Sequence, residues 1–226
     1  MKIAFVFPGQ GAQYVGMAQD FISAYPEFAA VLDEFDARHQ TNLRQIMAEG
    51  PEDVLKETRY TQPAILFHSI CALKCFEEHS PIRPDYVAGH SLGEITALVA
   101  NGTLSWNDAM HLVYKRGEFM IKANEGNPFA MAAVMGLEPQ MVIDICKEAE
   151  KEGLVKAVNF NTPAQTVISG TESGVAKASE LAKAKGAKRV VPLIVGGPFH
   201  TPLIHKASLW LAQEMENIPF KDATIP

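Results

Sequence analysis

A serine flanked by two glycines is the first feature of the sequence that could carry chemistry. The stretch VAGHSLGEIT (87–96) places Ser91 in the pattern G-x-S-x-G, after a short apolar run and before a potential helix. Between a strand and a helix this pattern is typical of a nucleophile elbow, whose sharp turn exposes the serine hydroxyl. The amide of Leu92 would then face a developing oxyanion, helped by the helix dipole. The alternative is that the pattern marks only a tight turn at a helix cap.

A serine hydroxyl is a weak nucleophile unless a base accepts its proton, and the chain contains seven histidines. His200 lies in GGPFHTPL (196–203), after a predicted strand and a Gly-Gly-Pro bend, where catalytic loops gather in α/β folds. His90 is next to the serine, but we expect its side chain to point away from the elbow. His200 is therefore the candidate base, and an ordinary surface histidine is the alternative.

Apolar runs and turn residues predict the elements that must position these groups. The first part of the chain alternates strand and helix, which favours a parallel sheet covered on both faces. Its predicted elements are a strand at 2–7, helices at 28–39 and 61–78, a strand at 84–91, and helices at 92–102 and 105–125. Beyond Gly126 the order becomes βαββαβ, the split-βαβ or ferredoxin-like arrangement.

This change of pattern predicts two lobes in an α/β protein. We expect a large α/β core formed by residues 1–123 and 198–226, with a small ferredoxin-like subdomain inserted at 124–197.

Composition restricts the functional class. Hydrophobic residues make up 47% of the chain and charged residues 20%, as in ordinary soluble proteins. No apolar run approaches the roughly 20 residues of a membrane helix, and the N-terminus lacks a signal peptide, so we expect a cytoplasmic protein without membrane contact. The net charge of −6 argues against nucleic-acid binding.

One predicted helix carries four side chains of types that bind zinc, His68, Cys71, Cys75 and His79. These side chains share a face but spread over about 16 Å, at 1.5 Å per residue, which is too far for one zinc ion. We therefore expect helix packing here, and no metal or redox cofactor.

Six motifs resemble one enzyme family. In chain order they are FPGQGAQYVGMA, TQPA, GHSLGE, YKRGEFM, NFNTPAQTVISG and GPFHTPL. Together they resemble the malonyl-coenzyme A:acyl carrier protein transacylases, and the acyltransferase domains of polyketide synthases share the same signature. The resemblance covers essentially the whole chain. It implies an α/β-hydrolase-like core and a serine that malonyl-CoA acylates, before the phosphopantetheine thiol of acyl carrier protein removes the malonyl group.

The resemblance also implies a role for each matching residue. Ser91 is the nucleophile and His200 its base, while Gln10 flanks the oxyanion hole with the Leu92 amide. Arg116 would grip the free carboxylate of the substrate, because a guanidinium binds a carboxylate in a bidentate way. Without the family, an ordinary surface arginine is the simpler interpretation.

Two further residue roles concern selectivity and partners. Phe199 resembles the bulky residue with which malonyl-selective members exclude a 2-methyl group. The basic run KAKGAKR (183–189) is either the solvated end of a helix or a docking face for the acidic carrier protein, through Lys188 and Arg189.

Family members continue beyond Pro226, and we expect this chain to lack their C-terminal segment. That segment normally supplies the acceptor that orients the catalytic histidine, and neither Asp108 nor Asp144 is placed to replace it. Two other functions therefore stay open: a serine esterase or thioesterase using the same elbow, and a catalytically silent module that only binds CoA thioesters or carrier protein.

Overall fold

A computed structural model describes all 226 residues of the chain as an α/β protein. The strands are β1 (Ala4–Phe7), β2 (Tyr86–Gly89), β3 (Ala130–Met135), β4 (Val155–Thr162), β5 (Gln165–Gly170) and β6 (Arg189–Pro192). The helices are α1 (Gln19–Ala24), α2 (Ala29–His39), α3 (Leu43–Glu49), α4 (Glu52–Leu55), α5 (Thr58–His79), α6 (Gly93–Ala100), α7 (Trp106–Lys122), α8 (Pro139–Ala149), α9 (Glu172–Ala184) and α10 (His205–Met215). None of these helices combines the length and the apolar character needed to cross a bilayer.

The chain divides into two compact units. One unit comprises Met1–Glu118 and Leu211–Pro226, and the other comprises Phe119–Trp210. The second unit therefore includes the end of α7 and most of α10, which lie outside the expected lobe at 124–197. Within this unit Trp210 packs against Phe119 at the end of α7, with ring centroids 5.8 Å apart. The predicted boundaries stay a prediction.

In the first unit, β1 and β2 form a parallel pair that aligns Phe7 with Gly89. Parallel pairing brings the carboxyl ends of both strands to one edge, so the loop after Phe7 and the turn after Gly89 start side by side. Helix α5 supplies the centre of this unit's core, where Leu66, Phe67 and Ile70 are almost completely buried.

Two hydroxyl side chains lie near helix starts and play different parts. Ser105 caps α7, because its Oγ accepts from the Asp108 amide at 3.1 Å and donates to the Asp108 carboxylate at 2.6 Å. The predicted start of a helix at residue 61 is wrong. Helix α5 begins a turn earlier, at Thr58, and the Thr61 hydroxyl donates to the Leu55 carbonyl at 2.6 Å.

In the second unit, four antiparallel strands form a sheet in the order β4-β5-β3-β6. Successive residues of the central strand β3 face opposite sides of this sheet, as the pleat requires. Ala132 and Val134 pack in a cluster with residues of α8 and α9, while Met131 and Ala133 pack in a separate cluster with Phe199. Both faces of β3 are therefore covered, which explains its continuous apolar sequence.

Two histidines and a glutamate form a chain of polar contacts inside the first unit. The ring nitrogens His111 Nδ1 and His39 Nε2 are 3.2 Å apart, and His111 Nε2 is 3.3 Å from a carboxylate oxygen of Glu214. Burial, and then the charges of His111, Arg38 and Lys115, lower the pKa of His39 to about 4, against a raising effect of Glu118. Burial and Arg38 also lower the pKa of His111, although Glu214 opposes this.

This cluster predicts a loss of stability in mild acid. Both pKa values are lower in the folded chain than the ordinary 6.5, so the neutral rings contribute their full stability above about pH 6.5. The contribution is lost as the pH falls toward the pKa of His39. Between pH 7 and 5 the parent should lose about 1 kcal/mol more unfolding free energy than His39→Gln, after allowance for solvent access.

Urea unfolding at several pH values measures this difference. His79→Gln changes a histidine outside the cluster and should follow the parent. Equal pH dependence of the parent and His39→Gln would contradict the interpretation.

Candidate active site

Ser91 lies in the turn between β2 and α6, as the elbow requires. Its φ is +55°, in the left-handed region, and only Ala18, Gln40 and His200 share a positive φ among the non-glycine residues. Such a conformation is costly for a residue with a Cβ and persists only where the surroundings impose it. The structure therefore supports an elbow at Ser91 and not a simple helix cap.

The two glycines of the pattern explain what imposes this turn. A Cβ on Gly89 would lie 1.8 Å from the Gly93 carbonyl carbon, and a Cβ on Gly93 would lie 2.3 Å from the Phe7 carbonyl oxygen. No side chain of any size fits at either position. The first turn of α6 therefore rests directly on the backbone of β1 and β2, and Ser91 must bridge a very short gap.

Leu92 occupies the N-cap position of α6, and its side chain is 1% exposed. Its amide belongs to the group of N–H donors at a helix start that have no carbonyl of their own helix to pair with. A negative charge developing beside Ser91 would meet this donor and the positive end of the helix dipole.

Gln10 follows β1 in the PGQG loop, next to the elbow. The contact between the two loops is close, because a Cβ on Gly9 would lie 2.5 Å from the His90 ring nitrogen Nδ1. The His90 amide also donates to the Phe7 carbonyl at 3.0 Å. The ring of His90 thus packs on the loop that carries Gln10, which gives this histidine a structural reason for its place beside the serine.

Arg116 on α7 reaches the nucleophile. Its Nη2 donates to Ser91 Oγ at 3.0 Å, and its Nη1 donates to Gln62 Oε1 at 2.7 Å. Burial lowers the pKa of this guanidinium, and the charge of Glu94 acts in the opposite direction. The arginine is therefore not an ordinary surface residue: it is a partly buried cation whose two hydrogen-bond acceptors are both neutral.

Gln62 is a site residue for which the sequence analysis assigned no role. It lies in the second turn of α5 and is 1% exposed. The signal was available, because Gln62 belongs to the TQPA motif and a buried glutamine needs a polar partner. Its pairing with Arg116 depends on chain folding, since 54 positions separate the two residues.

His200 and Phe199 belong to the second unit. His200 is exposed with φ +61°, and the following residue, Thr201, fixes the turn because its hydroxyl donates to the Pro198 carbonyl at 2.7 Å. Phe199 is 6% exposed and packs with Met120 and Met131. Its buried ring anchors the loop, and its predicted role in acyl selection stays a prediction.

Lys188 and Arg189 also lie in the second unit, at the start of edge strand β6, and both are exposed. The Lys188 amide donates to the Met135 carbonyl at 2.8 Å, and the stem of this lysine covers Gly136. Lys185, in the same basic run, pairs with Glu148 at 3.3 Å.

The structure thus brings Ser91, Leu92 and Arg116 together in the first unit, adds Gln62 to them, and packs the loop that carries Gln10 against the elbow. Comparison with known proteins identifies the family. Residues 4–226 match the acyl transferase domain family. The chain belongs to the acyl transferase family.

Curated relatives within this family carry one name. The chain is 46% identical over 226 residues to the malonyl CoA-acyl carrier protein transacylase of Bacillus subtilis, covering 100% of the chain and 71% of the relative. It is 40% identical over 225 residues to the enzyme of the same name from Escherichia coli K12, covering 100% and 73%.

Solved acyl transferase structures agree with these relatives. The acyl-carrier-protein S-malonyltransferase of Burkholderia pseudomallei is similar with a TM-score of 0.93 and 42% identity, over 100% of this chain and 73% of that one. A malonyl-transacylase solved in complex with its type II PKS acyl carrier protein is similar with a TM-score of 0.93 and 37% identity, over 100% and 73%.

The elbow geometry predicts that Gly93→Ala is far more damaging than a typical glycine substitution. Its added methyl group would collide with the Phe7 carbonyl, and neither backbone segment has room to retreat, so we expect a loss of at least ~3 kcal/mol of stability. Gly126→Ala is the control, because Gly126 has open space around it, so only the backbone strain of its positive φ (+79°) opposes an alanine there. The control should lose about 1–2 kcal/mol.

Chemical unfolding of both variants, with activity measured on the folded fraction, distinguishes the two effects. Equal losses in the two variants would show that the contact between α6 and β1 does not constrain the elbow.

Proposed function

We propose that this acyl transferase moves a malonyl group from malonyl-CoA to the phosphopantetheine thiol of acyl carrier protein through a malonyl-serine intermediate. The observation that carries the proposal is the partly buried guanidinium of Arg116, 3.0 Å from Ser91 Oγ and hydrogen-bonded to two neutral acceptors. The charge of Glu94 offsets only part of the cost of desolvating this cation, and a carboxylate that arrives with the acyl group would pair with it directly.

The proposed chemistry proceeds in two transfers. His200 accepts the Ser91 proton while Oγ attacks the thioester carbonyl, and the C–S bond to coenzyme A then breaks as His200 returns the proton to the departing sulfur. The phosphopantetheine thiol next attacks the malonyl ester, His200 takes the thiol proton, and Ser91 recovers it as the C–O bond breaks. The Leu92 amide and Gln10 would stabilise the oxyanion in both transfers.

Backbone strain supports the choice of nucleophile and base. Ser91 and His200 are two of only four non-glycine residues with positive φ, although they lie in different units of the chain. Strained residues concentrate at functional sites, because a fold keeps them only where other contacts compensate. The relatives, named as malonyl CoA-acyl carrier protein transacylases, are consistent with this assignment.

Arg116 also indicates the class of substrate. Malonyl carries a free carboxylate that can replace Ser91 Oγ as an acceptor for the guanidinium, whereas acetyl leaves the cation without a partner. This argues for transfer of acid-bearing acyl groups and against a general esterase, in which a buried arginine beside the serine would serve no purpose. Phe199 is the proposed determinant against 2-methyl substituents.

The proposal also covers the fold of each unit, the need for cofactors and the cellular compartment. The first unit would be an α/β-hydrolase-like core, supported by the parallel β1–β2 pair and the elbow, and the second a ferredoxin-like subdomain, supported by its βαββαβ order. Neither transfer changes an oxidation state, so the proposed reaction needs no redox cofactor, and Ser91, His200 and the amide donors would supply nucleophile, base and oxyanion stabilisation without a metal. Malonyl-CoA is a substrate. We place the reaction in fatty-acid synthesis in the cytoplasm.

Intact-protein mass spectrometry tests the intermediate. Brief exposure to malonyl-CoA should add one malonyl group to the parent chain and none to Ser91→Ala. Acetyl-CoA should label the parent about 10²-fold more slowly, because Arg116 then stays unpaired.

Other outcomes identify the alternatives. A short-lived adduct that water removes, with no preference for acids, would indicate an esterase. Binding of CoA thioester without any adduct, in a folded chain, would indicate a silent binding module.

We also propose that Lys188 and Arg189 dock the acidic carrier protein, because both are exposed on an edge strand. The malonyl-transacylase solved with its acyl carrier protein shows that such a complex forms in a relative. Reversing both charges (Lys188→Glu with Arg189→Glu) should raise the KM for carrier protein about 10-fold and leave the KM for malonyl-CoA unchanged.

Steady-state kinetics with each substrate varied in turn measures the two constants. Lys147→Glu combined with Lys177→Glu makes the same change of charge on α8 and α9, outside the basic run 183–189, and serves as the control. Equal shifts in both KM values would show that this patch is not the docking face.

A further inference from the structure

Gln62 holds the arginine beside the nucleophile, and this contact has a chemical consequence. The amide oxygen of Gln62 accepts from Arg116 Nη1 at 2.7 Å, and its side chain is shielded from solvent, with 1% of the residue exposed. The contact is short and its acceptor residue is buried, so it constrains the rotation of the guanidinium. A long arginine side chain otherwise loses much of its precision to rotamer freedom.

The helices that carry Gln62 and Arg116, α5 and α7, pack tightly against each other. A Cβ on Gly117, next to Arg116, would lie 2.8 Å from the Arg59 Cα and 2.9 Å from the Thr58 carbonyl oxygen. Helix α7 is therefore pressed against the first turn of α5 at the level of the site. The buried Thr61 hydroxyl donates to the Leu55 carbonyl and so also fixes the start of α5. The positions of Gln62 and Arg116 are thus set by backbone contacts.

The chemical type of residue 62 matters as much as its position. An amide oxygen accepts a hydrogen bond and carries no formal charge, so it orients Arg116 without neutralising it. A carboxylate at the same place would form a buried bidentate ion pair with the guanidinium and remove its attraction for a second anion. The presence of a glutamine keeps the cation available.

We propose that Gln62 is a specificity-determining positioning residue of the transferase. It holds Arg116 by Nη1 while Nη2 exchanges Ser91 Oγ for the carboxylate of the acyl group. Nη2 donates to Ser91 Oγ at 3.0 Å, so a carboxylate that takes the place of this acceptor both pairs with the cation and releases the nucleophile. The inference rests on the proposed function for its substrate, but the anion site itself follows from the Gln62–Arg116 contact.

Two isosteric variants separate orientation from charge. Gln62→Met keeps the length and removes the acceptor, whereas Gln62→Glu keeps an acceptor and adds a counter-charge. We expect malonyl transfer from CoA, as kcat/KM, to fall about 10-fold in Gln62→Met and about 100-fold in Gln62→Glu. Acetyl transfer, which makes no use of the cation, should change less than about 3-fold in both.

The matched control is Gln213→Glu, which makes the same change of charge at an exposed position of α10. It should leave both rates at the parent values. Arg116→Ala provides the reference for complete loss of the clamp, and its ratio of malonyl to acetyl transfer should resemble that of Gln62→Glu. Circular dichroism confirms that each variant is folded before rates are compared.

A readout without catalysis keeps the two proposals distinguishable. Calorimetric titration with free malonate should show binding to the parent and to Gln213→Glu, and at least about 10-fold weaker binding to Gln62→Glu. If the parent forms no malonyl adduct but malonate binding follows this pattern, the proposed function fails while the role of Gln62 stands.

Two results would overturn the inference. One is a Gln62→Glu variant with the malonyl to acetyl ratio and the malonate affinity of the parent. The other is a parallel fall of malonyl and acetyl transfer in a folded variant, which would show that Gln62 only supports the structure.

Discussion

The contact of α6 with the ends of β1 and β2 is the constraint on which the site depends. Gly93 lies against the Phe7 carbonyl and Gly89 against the backbone of Gly93 itself, at separations that leave no room for a Cβ. The chain must therefore turn from strand to helix within a few residues, and it does so by placing Ser91 at φ +55°. The strain at the serine is balanced by the packing of the helix it starts, so nucleophile, helix dipole and Leu92 amide form one rigid group.

The second constraint is electrostatic. Placing the Arg116 guanidinium in a partly buried position beside Ser91 costs free energy, which the charge of Glu94 offsets in part and the neutral acceptors Gln62 and Ser91 do not. The tight packing of α7 on α5 at Gly117 holds the arginine in this position. Under the proposed function, this cation gives a common elbow its preference for an acyl group that carries a carboxylate.

In the second unit, packing also holds the loop that carries His200. The φ of His200 is also positive, and the residues on either side maintain it: Phe199 is buried among apolar side chains, and Thr201 closes the turn onto the Pro198 carbonyl. Beneath this loop, β3 is covered on both faces, by one cluster with α8 and α9 and by another with Phe199. Packing therefore fixes the loop, and the histidine itself stays exposed.

Short-range patterns in the sequence were sufficient for the elements and for the type of chemistry. Alternating strands and helices, the βαββαβ order after Gly126, and G-x-S-x-G between a strand and a helix depend on local periodicity and turn residues, so they could be recognised without coordinates. The pattern places the start of α5 at residue 61, where a threonine precedes a proline, whereas the helix begins at Thr58 and the Thr61 hydroxyl bonds to the Leu55 carbonyl of α4. The partial burial of Arg116 and the role of Gln62 likewise depend on the folded chain. Whether an arginine is a solvated surface charge or a partly buried cation depends on which distant helix packs against it, and residues 54 positions apart meet only in three dimensions.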